Sequence, residues 1–185
     1  MAASAGSIAP SPATEADLLQ TPRDGNKYEL VDGTIRMSPA GYRHGRISVR
    51  LAVAMERYAT ERRLGELVDS STGFRLPGGN VRCPDLAFVR RERVPQGEAA
   101  AGFADFAPDL AVEVLSPGDD ARNILDKVGE YLQAGVRLVW VIDPRASRAA
   151  AYRSLTDVRQ VTAEGELDGE DVVPGFRVKL SDLLA

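Results

Sequence analysis

The sequence of 185 residues contains one cysteine, one histidine and three lysines, and each scarcity removes a class of explanation. Cys83 has no partner for an internal disulfide, so a secreted disulfide scaffold is excluded and a reducing, cytoplasmic setting is expected. One cysteine and one histidine also exclude a zinc site built from those ligands. Any metal would have to be held by carboxylates, which selects a hard cation. No apolar run reaches the length of a membrane span, so no membrane partner is expected. The opening residues MAASAGSIAPSPA have neither a basic n-region nor an apolar h-region, and no signal peptide is expected.

Hydrophobic residues make up 44% and charged residues 27% of the chain, ordinary values for a globular domain with its own core. The net charge of −4 conceals a division. Residues 36–93 carry 12 basic and 6 acidic side chains, a net +6, whereas residues 156–185 carry 3 basic and 7 acidic, a net −4. The basic stretch permits phosphate binding and is equally compatible with a solvated surface.

Residues 1–13 are rich in Ala, Ser and Pro without periodicity and read as a disordered arm, leaving 14–185 as a single domain. Thr14 with Asp17 forms a capping-box pattern for a short helix. Two β-prone runs around Asp32-Gly33 predict a hairpin. Ile47, Leu51, Ala54, Met55 and Tyr58 recur at helical spacing and predict a long helix over 42–63, ended by Gly65. Strands are expected over 67–76 and 81–89, then a loop over 91–107. The run LAVEVL at 110–115 predicts a buried strand, 123–134 a second helix, and 136–142 another buried strand. Strand, helix and strand from 110 to 142 predict a parallel right-handed crossover within an α/β domain with a mixed sheet. Further strands are expected at 149–153, 158–162 and 176–180.

Some polar residues break these patterns. Glu113 interrupts an apolar strand, where a charge is costly unless paired or metal-bound. It reads either as a buried glutamate matched by an arginine or as a metal ligand. Asp85 follows Pro84 at a strand start, where a turn role competes with a ligand role; 28 positions separate it from Glu113, enough for the two carboxylates to converge on one divalent ion from neighbouring strands. Asp109 lies roughly 13 Å along the strand from Glu113, too far to share an ion with it, and reads as a turn residue. Lys127 sits at the margin of the second helix's apolar face, either exposed or reaching the carboxylates. His44 points inward from the first long helix, and Glu29 sits in the hairpin. Arg43, Arg46 and Arg50, with Arg57, form a basic stripe that can track phosphates, belong to a solvated face or contribute to a homodimer contact.

Taken in order, Tyr28-Glu29-Leu30-Val31-Asp32-Gly33, Met37-Ser38-Pro39, His44, Pro84-Asp85-Leu86, the run from Pro108 to Pro117, Lys127 with Tyr131, Gly135-Val136 and Trp140-Val141-Ile142-Asp143-Pro144 resemble one family. It is the prokaryotic family of putative restriction endonucleases, formerly a domain of unknown function, within the PD-(D/E)XK nuclease superfamily. The resemblance spans roughly residues 15–184. It implies a restriction-endonuclease-like fold, a central four-stranded mixed β-sheet flanked by helices, here with extra hairpins. It also implies Mg²⁺-dependent endonuclease cleavage of DNA, with Mn²⁺ accepted. By position, Asp85 is the aspartate of the PD motif and Glu113 the acidic residue of the second motif. They would hold the ion with a main-chain carbonyl near Val114. The superfamily's lysine would stand two residues after Glu113, where this chain has Leu115, so the resemblance moves that role to Lys127. Glu29 and His44 match family positions, His44 as a phosphate donor or as the group that orients Glu29. The alternative is a catalytically silent member of the fold that serves as a binding or assembly module.

Overall fold

The computed structural model describes residues 11–22, 24–38, 41–96 and 102–185. Most of the expected arm, residues 1–10, lies outside them, as do Arg23, Pro39 and part of the 91–107 loop; Ala13 donates its N–H to the Gly33 carbonyl at 2.7 Å.

The short helix α1 (Glu15–Leu18) carries the expected capping box. The hairpin of β1 (Lys27–Val31) and β2 (Thr34–Ser38) follows, with Val31 facing Thr34 across a two-residue turn. Asp32 and Gly33 take φ of 49° and 67°, the pair of left-handed residues that lets such a turn follow the strand twist. Helix α2 (Tyr42–Arg62) buries Ile47, Leu51, Met55 and Ala59. Arg63, not the expected Gly65, takes the left-handed cap, with φ of 55°. Gly65 serves close packing instead: a Cβ there would lie 2.1 Å from the Val89 carbonyl oxygen.

The two long strands expected over 67–76 and 81–89 are each divided between two sheets. The first becomes β3 (Gly65–Asp69) and β4 (Phe74–Arg75), the second β5 (Val81–Arg82) and β6 (Leu86–Arg90). The physical reason in the second case is Pro84, which has no N–H to give a ladder and lets the chain cross from one sheet to the other. One sheet runs β2-β1-β5-β4. After the short 3₁₀ turn Arg91–Arg93, strand β7 (Leu110–Val114), helix α3 (Ala121–Gln133) and strand β8 (Leu138–Asp143) form the crossover unit, and β7 and β8 are parallel. Strands β9 (Arg148–Tyr152) and β10 (Val158–Thr162) complete the central mixed sheet, whose order is β10-β9-β8-β7-β6-β3. It therefore has six strands where four were implied, because the β9–β10 hairpin extends its edge. The strand pair β11 (Glu166–Asp168) and β12 (Arg177–Lys179), with helix α4 (Leu180–Leu184), closes the described chain. Among the described residues no helix is long and apolar enough to cross a membrane.

The central sheet has two apolar faces. Leu86, Phe88, Leu110, Val112, Leu138 and Trp140 pack against α2. Ala87, Val89, Ala111, Val139 and Val141 pack with Val128 and Tyr131 of α3. Alternation along β7 therefore turns Glu113 to the α3 face. Each fully buried aliphatic side chain contributes roughly 1.5–3 kcal/mol by burial. Leu51→Ala, at a fully enclosed position, should lower the unfolding free energy by about 2–5 kcal/mol, whereas exposed Val53→Ala should change it by less than about 0.5 kcal/mol. Urea denaturation of the two variants measures both; a small effect at Leu51 would place the core elsewhere.

Candidate active site

Glu29, Asp85, Glu113 and Glu130 meet Lys27, Arg82 and Lys127 in one partly enclosed cleft of about 960 Å³. The cleft follows from the register of the central sheet. Leu86 pairs with Val112 and Ala87 with Ala111 in the antiparallel β6–β7 ladder. Just beyond the last pair of that ladder, the Asp85 N–H donates to the Val112 carbonyl at 2.9 Å and the Val114 N–H donates to Asp85 Oδ2 at 2.8 Å, which holds Asp85 against the Val112–Val114 segment, next to Glu113. Both carboxylates are nearly enclosed, at 4% and 5% exposure, and neither is matched by an arginine.

Glu113 is met from α3. Lys127 Nζ lies 2.9 Å from Glu113 Oε1, and the Tyr131 hydroxyl donates to the same oxygen at 2.8 Å. Both contacts fall on Oε1, so Oε2 is the oxygen an incoming ligand can take. Burial raises the Glu113 carboxyl above its ordinary range, and the Asp85 charge adds to the effect while Lys127 opposes it. Lys127 is buried, not exposed, and also lies 3.1 Å from Glu29 Oε1. Burial disfavours its charge, but Glu113 and Glu29 outweigh this and hold the amine above the usual lysine range.

Glu29 is a buried residue of β1, tied down on three sides. The Cys83 N–H donates to Oε1 at 2.7 Å, and Arg82 Nη1 reaches Oε2 at 3.3 Å beside the Lys127 contact. Arg82, itself buried, also forms a two-pronged contact with Glu130 of α3 at 2.8 and 2.5 Å. Burial pushes the Glu29 carboxyl up, but Lys127, Lys27 and Arg82 prevail and hold it below its ordinary range.

Asp85 is engaged by two groups besides the backbone. His44 Nε2 is 2.8 Å from Oδ2, and since an ionised carboxylate only accepts, the proton is on Nε2. Lys27 Nζ is 2.6 Å from Oδ1. Burial opposes ionisation, yet the His44 bond and the Lys27 charge hold Asp85 well below the usual carboxylate range. His44 thus orients Asp85 and not Glu29. The first turn of α2 meets the β6 end of the cleft, while Glu29 is occupied by groups from β5 and α3. Asp109 is a structural residue, accepting from the Arg90 N–H at 2.9 Å with Arg93 Nη1 at 2.9 Å.

The basic stripe divides. Arg46 donates to the Leu184 carbonyl at 3.2 Å, and Arg50 to the main-chain oxygens of Leu183 and Ala185. Cations there complement the carbonyl end of α4. This corrects the reading of Arg46 and Arg50 as phosphate contacts; Arg43 remains exposed. Three residues escape the sequence reading: Lys27, Arg82 and Arg36, an exposed residue that lines the cleft from β2. For Lys27 and Arg36 a signal existed in strand alternation, since Lys27 shares a strand face with Glu29, and Arg36 pairs with Glu29 across the hairpin.

No group of three or more His, Cys, Asp or Glu among the described residues forms a ready metal cage. The donor set instead suits a hydrated hard cation, which takes one or two carboxylates and fills the rest of its shell with water and phosphate oxygens. Asp85 and Glu113 provide that pair, and their mutual repulsion is what a divalent ion would relieve.

A family model described as "Putative restriction endonuclease" (Uma2) matches residues 15–181. Among solved structures, the crystal structure of a putative nuclease belonging to DUF820 from Anabaena variabilis is similar, with a TM-score of 0.82 at 20% sequence identity over 94% of this chain and 98% of that one. That likeness concerns the fold. No curated protein matches the chain.

The ion pairs around Glu29 make a stability prediction. Arg82→Met leaves Glu29 and Glu130 without their shared cation and should cost about 3–5 kcal/mol at neutral pH. Carboxyls held below their ordinary range stabilise the fold above that range, and the stabilisation is lost as pH falls through the folded-state values. Wild-type stability should therefore decline below about pH 4. The Arg82→Met variant, whose Glu29 is no longer held so low, should lose less over the same interval. Thermal unfolding between neutral and acid pH measures both slopes; equal slopes would contradict the assignment.

Proposed function

The chain belongs to the Uma2 family of putative restriction endonucleases, a family of hydrolases, and on that premise we propose that it is a divalent-metal-dependent nuclease that cuts DNA at the Asp85–Glu113 pair. The observation that carries this reading is the meeting of two buried carboxylates on neighbouring strands, Asp85 bonded to the backbone on either side of Glu113, with Lys127 in contact with Glu113. Asp85 Oδ1, Glu113 Oε2 and a main-chain carbonyl near Val114 would hold Mg²⁺, or Mn²⁺ in its place. When bound, such an ion supplies Lewis-acid polarisation of a phosphoryl oxygen and a water of lowered pKa.

The remaining roles belong to the protein's own groups. His44 and the Val114 N–H hold Asp85 by Oδ2 and so turn Oδ1 to the cleft. Tyr131 fixes Glu113 in the same way through Oε1. Lys127 opposes the effect of burial on Glu113 and offers positive charge beside the phosphoryl oxygen that gains charge in the transition state. Glu29 and Arg82 hold Lys127 in place. Arg36 and Arg43, both exposed, are the cations best placed to meet the flanking phosphates.

The silent-module alternative has one observation in its favour: Lys27 already neutralises Asp85. An assay of metal-stripped protein on supercoiled plasmid and on single-stranded DNA separates the two. Cleavage should require added Mg²⁺ or Mn²⁺. Asp85→Asn and Glu113→Gln should each reduce it by more than the roughly 10–100-fold that loss of an outer partner costs. Lys127→Ala should abolish cleavage while leaving a folded protein. Cleavage that persists in chelator, or that survives Asp85→Asn, would overturn the proposal, and absence of cleavage by the wild type under all these conditions would favour the silent module.

A further inference from the structure

The two lysines at the cleft are held differently. Lys127 is clamped between two carboxylates, Glu113 at 2.9 Å and Glu29 at 3.1 Å, which are themselves fixed by Tyr131, Arg82 and the Cys83 N–H. Lys27 has one close partner, Asp85 Oδ1 at 2.6 Å. It is the first residue of β1, and its four-carbon stem enters the cleft from the hairpin wall. The other oxygen of Asp85 is bound by the His44 ring and by the Val114 N–H, and the latter cannot leave without moving β7. The oxygen left for a divalent ion is therefore the one covered by a long side chain with a single close partner.

We propose that Lys27 is a tethered place-holder for the divalent ion on Asp85: it covers Oδ1 while no ion is bound and swings off it when the ion enters. This rests on Asp85 and Glu113 being the ion ligands. The reason for such a residue is the charge balance of the cleft. Among the described residues Lys27 is the only lysine or arginine in contact with Asp85; without it Asp85 would keep His44 and a backbone N–H but no such cation to offset the charge of the neighbouring Glu113. Occupation by Lys27 offsets the repulsion between the two carboxylates and scales the apparent ion affinity down to the fraction of molecules in which Oδ1 is uncovered. The displaced ammonium stays in the cleft, where an anionic phosphodiester is its natural next partner. Lys27 then belongs to substrate binding as well as to ion control.

The chain's three lysines make the test direct. Acetylation of the folded wild type is followed at each lysine by peptide mass spectrometry, with and without saturating Mg²⁺ at constant ionic strength. Release from Asp85 should speed modification of Lys27 by about fivefold or more. Exposed Lys179 should be unchanged and clamped Lys127 should stay slow. In parallel, calorimetry of Mn²⁺ binding should show Lys27→Met binding the ion about tenfold more tightly than wild type, since the covered fraction is gone. Binding by Lys27→Met where wild type shows none would be the extreme form of the same result. A Lys27 rate that is unchanged or slower while Mg²⁺ binds in a Glu113-dependent way would overturn the place-holder role and leave the ion site standing. Unchanged or weaker Mn²⁺ binding by Lys27→Met would do the same. Failure of both proteins to bind any ion would remove the ion site itself, and the place-holder with it.

Discussion

A carboxylate in the middle of a buried strand must be met by a cation and by hydrogen-bond donors, or it does not stay ionised. Glu113 imposes that demand on the rest of this molecule. Helix α3 answers with Lys127 and Tyr131, one turn apart on the same face. Lys127 is itself buried and needs a second acid, which Glu29 supplies from a different sheet. Glu29 needs Arg82, and Arg82 returns to α3 through Glu130. The polar cluster is thus a closed circuit of contacts that holds the hairpin sheet, the central sheet and α3 in one arrangement. Buried ionic networks of this kind are weak evidence for stability, because burying the charges opposes the gain from pairing them. Their value here is positional: they fix where the carboxylates point.

The cluster also explains the division of labour between its two sides. On the Glu113 side every group is doubly held, which suits a cation that must stay beside a reacting phosphate. On the Asp85 side one oxygen is locked and the other meets a single flexible lysine. A site that must admit an ion needs such an asymmetry, since an ion can displace a side chain but not a backbone N–H.

Asp85, Glu113 and Lys127 were legible in the sequence because each stands out locally. Glu113 breaks an apolar run, Asp85 follows Pro84, and Lys127 borders an apolar helix face. The two long helices and the hairpin were legible for the same reason, since their periodicity and turn chemistry are local properties. What could not be read depended on contacts between distant segments. Residues 81–89 read as one strand, whereas the chain changes sheets at Pro84, and that change brings Arg82 to Glu29. Lys27 looked like one more polar residue beside the hairpin, since nothing nearby in sequence marks Asp85, 58 residues away, as its partner. Arg46 and Arg50 looked like a phosphate-tracking stripe because helical spacing places them together but does not reveal that α4 ends against them.

The proposed chemistry of the cleft turns on one divalent ion being shared by Asp85 and Glu113. The most direct measurement is anomalous diffraction from crystals of the protein soaked in Mn²⁺. A single strong peak is expected in the cleft, about 2.1 Å from Asp85 Oδ1 and from Glu113 Oε2, with Mn²⁺ keeping water on its open side. A peak elsewhere on the protein with none between these carboxylates, in crystals whose cleft is open to solvent, would contradict it.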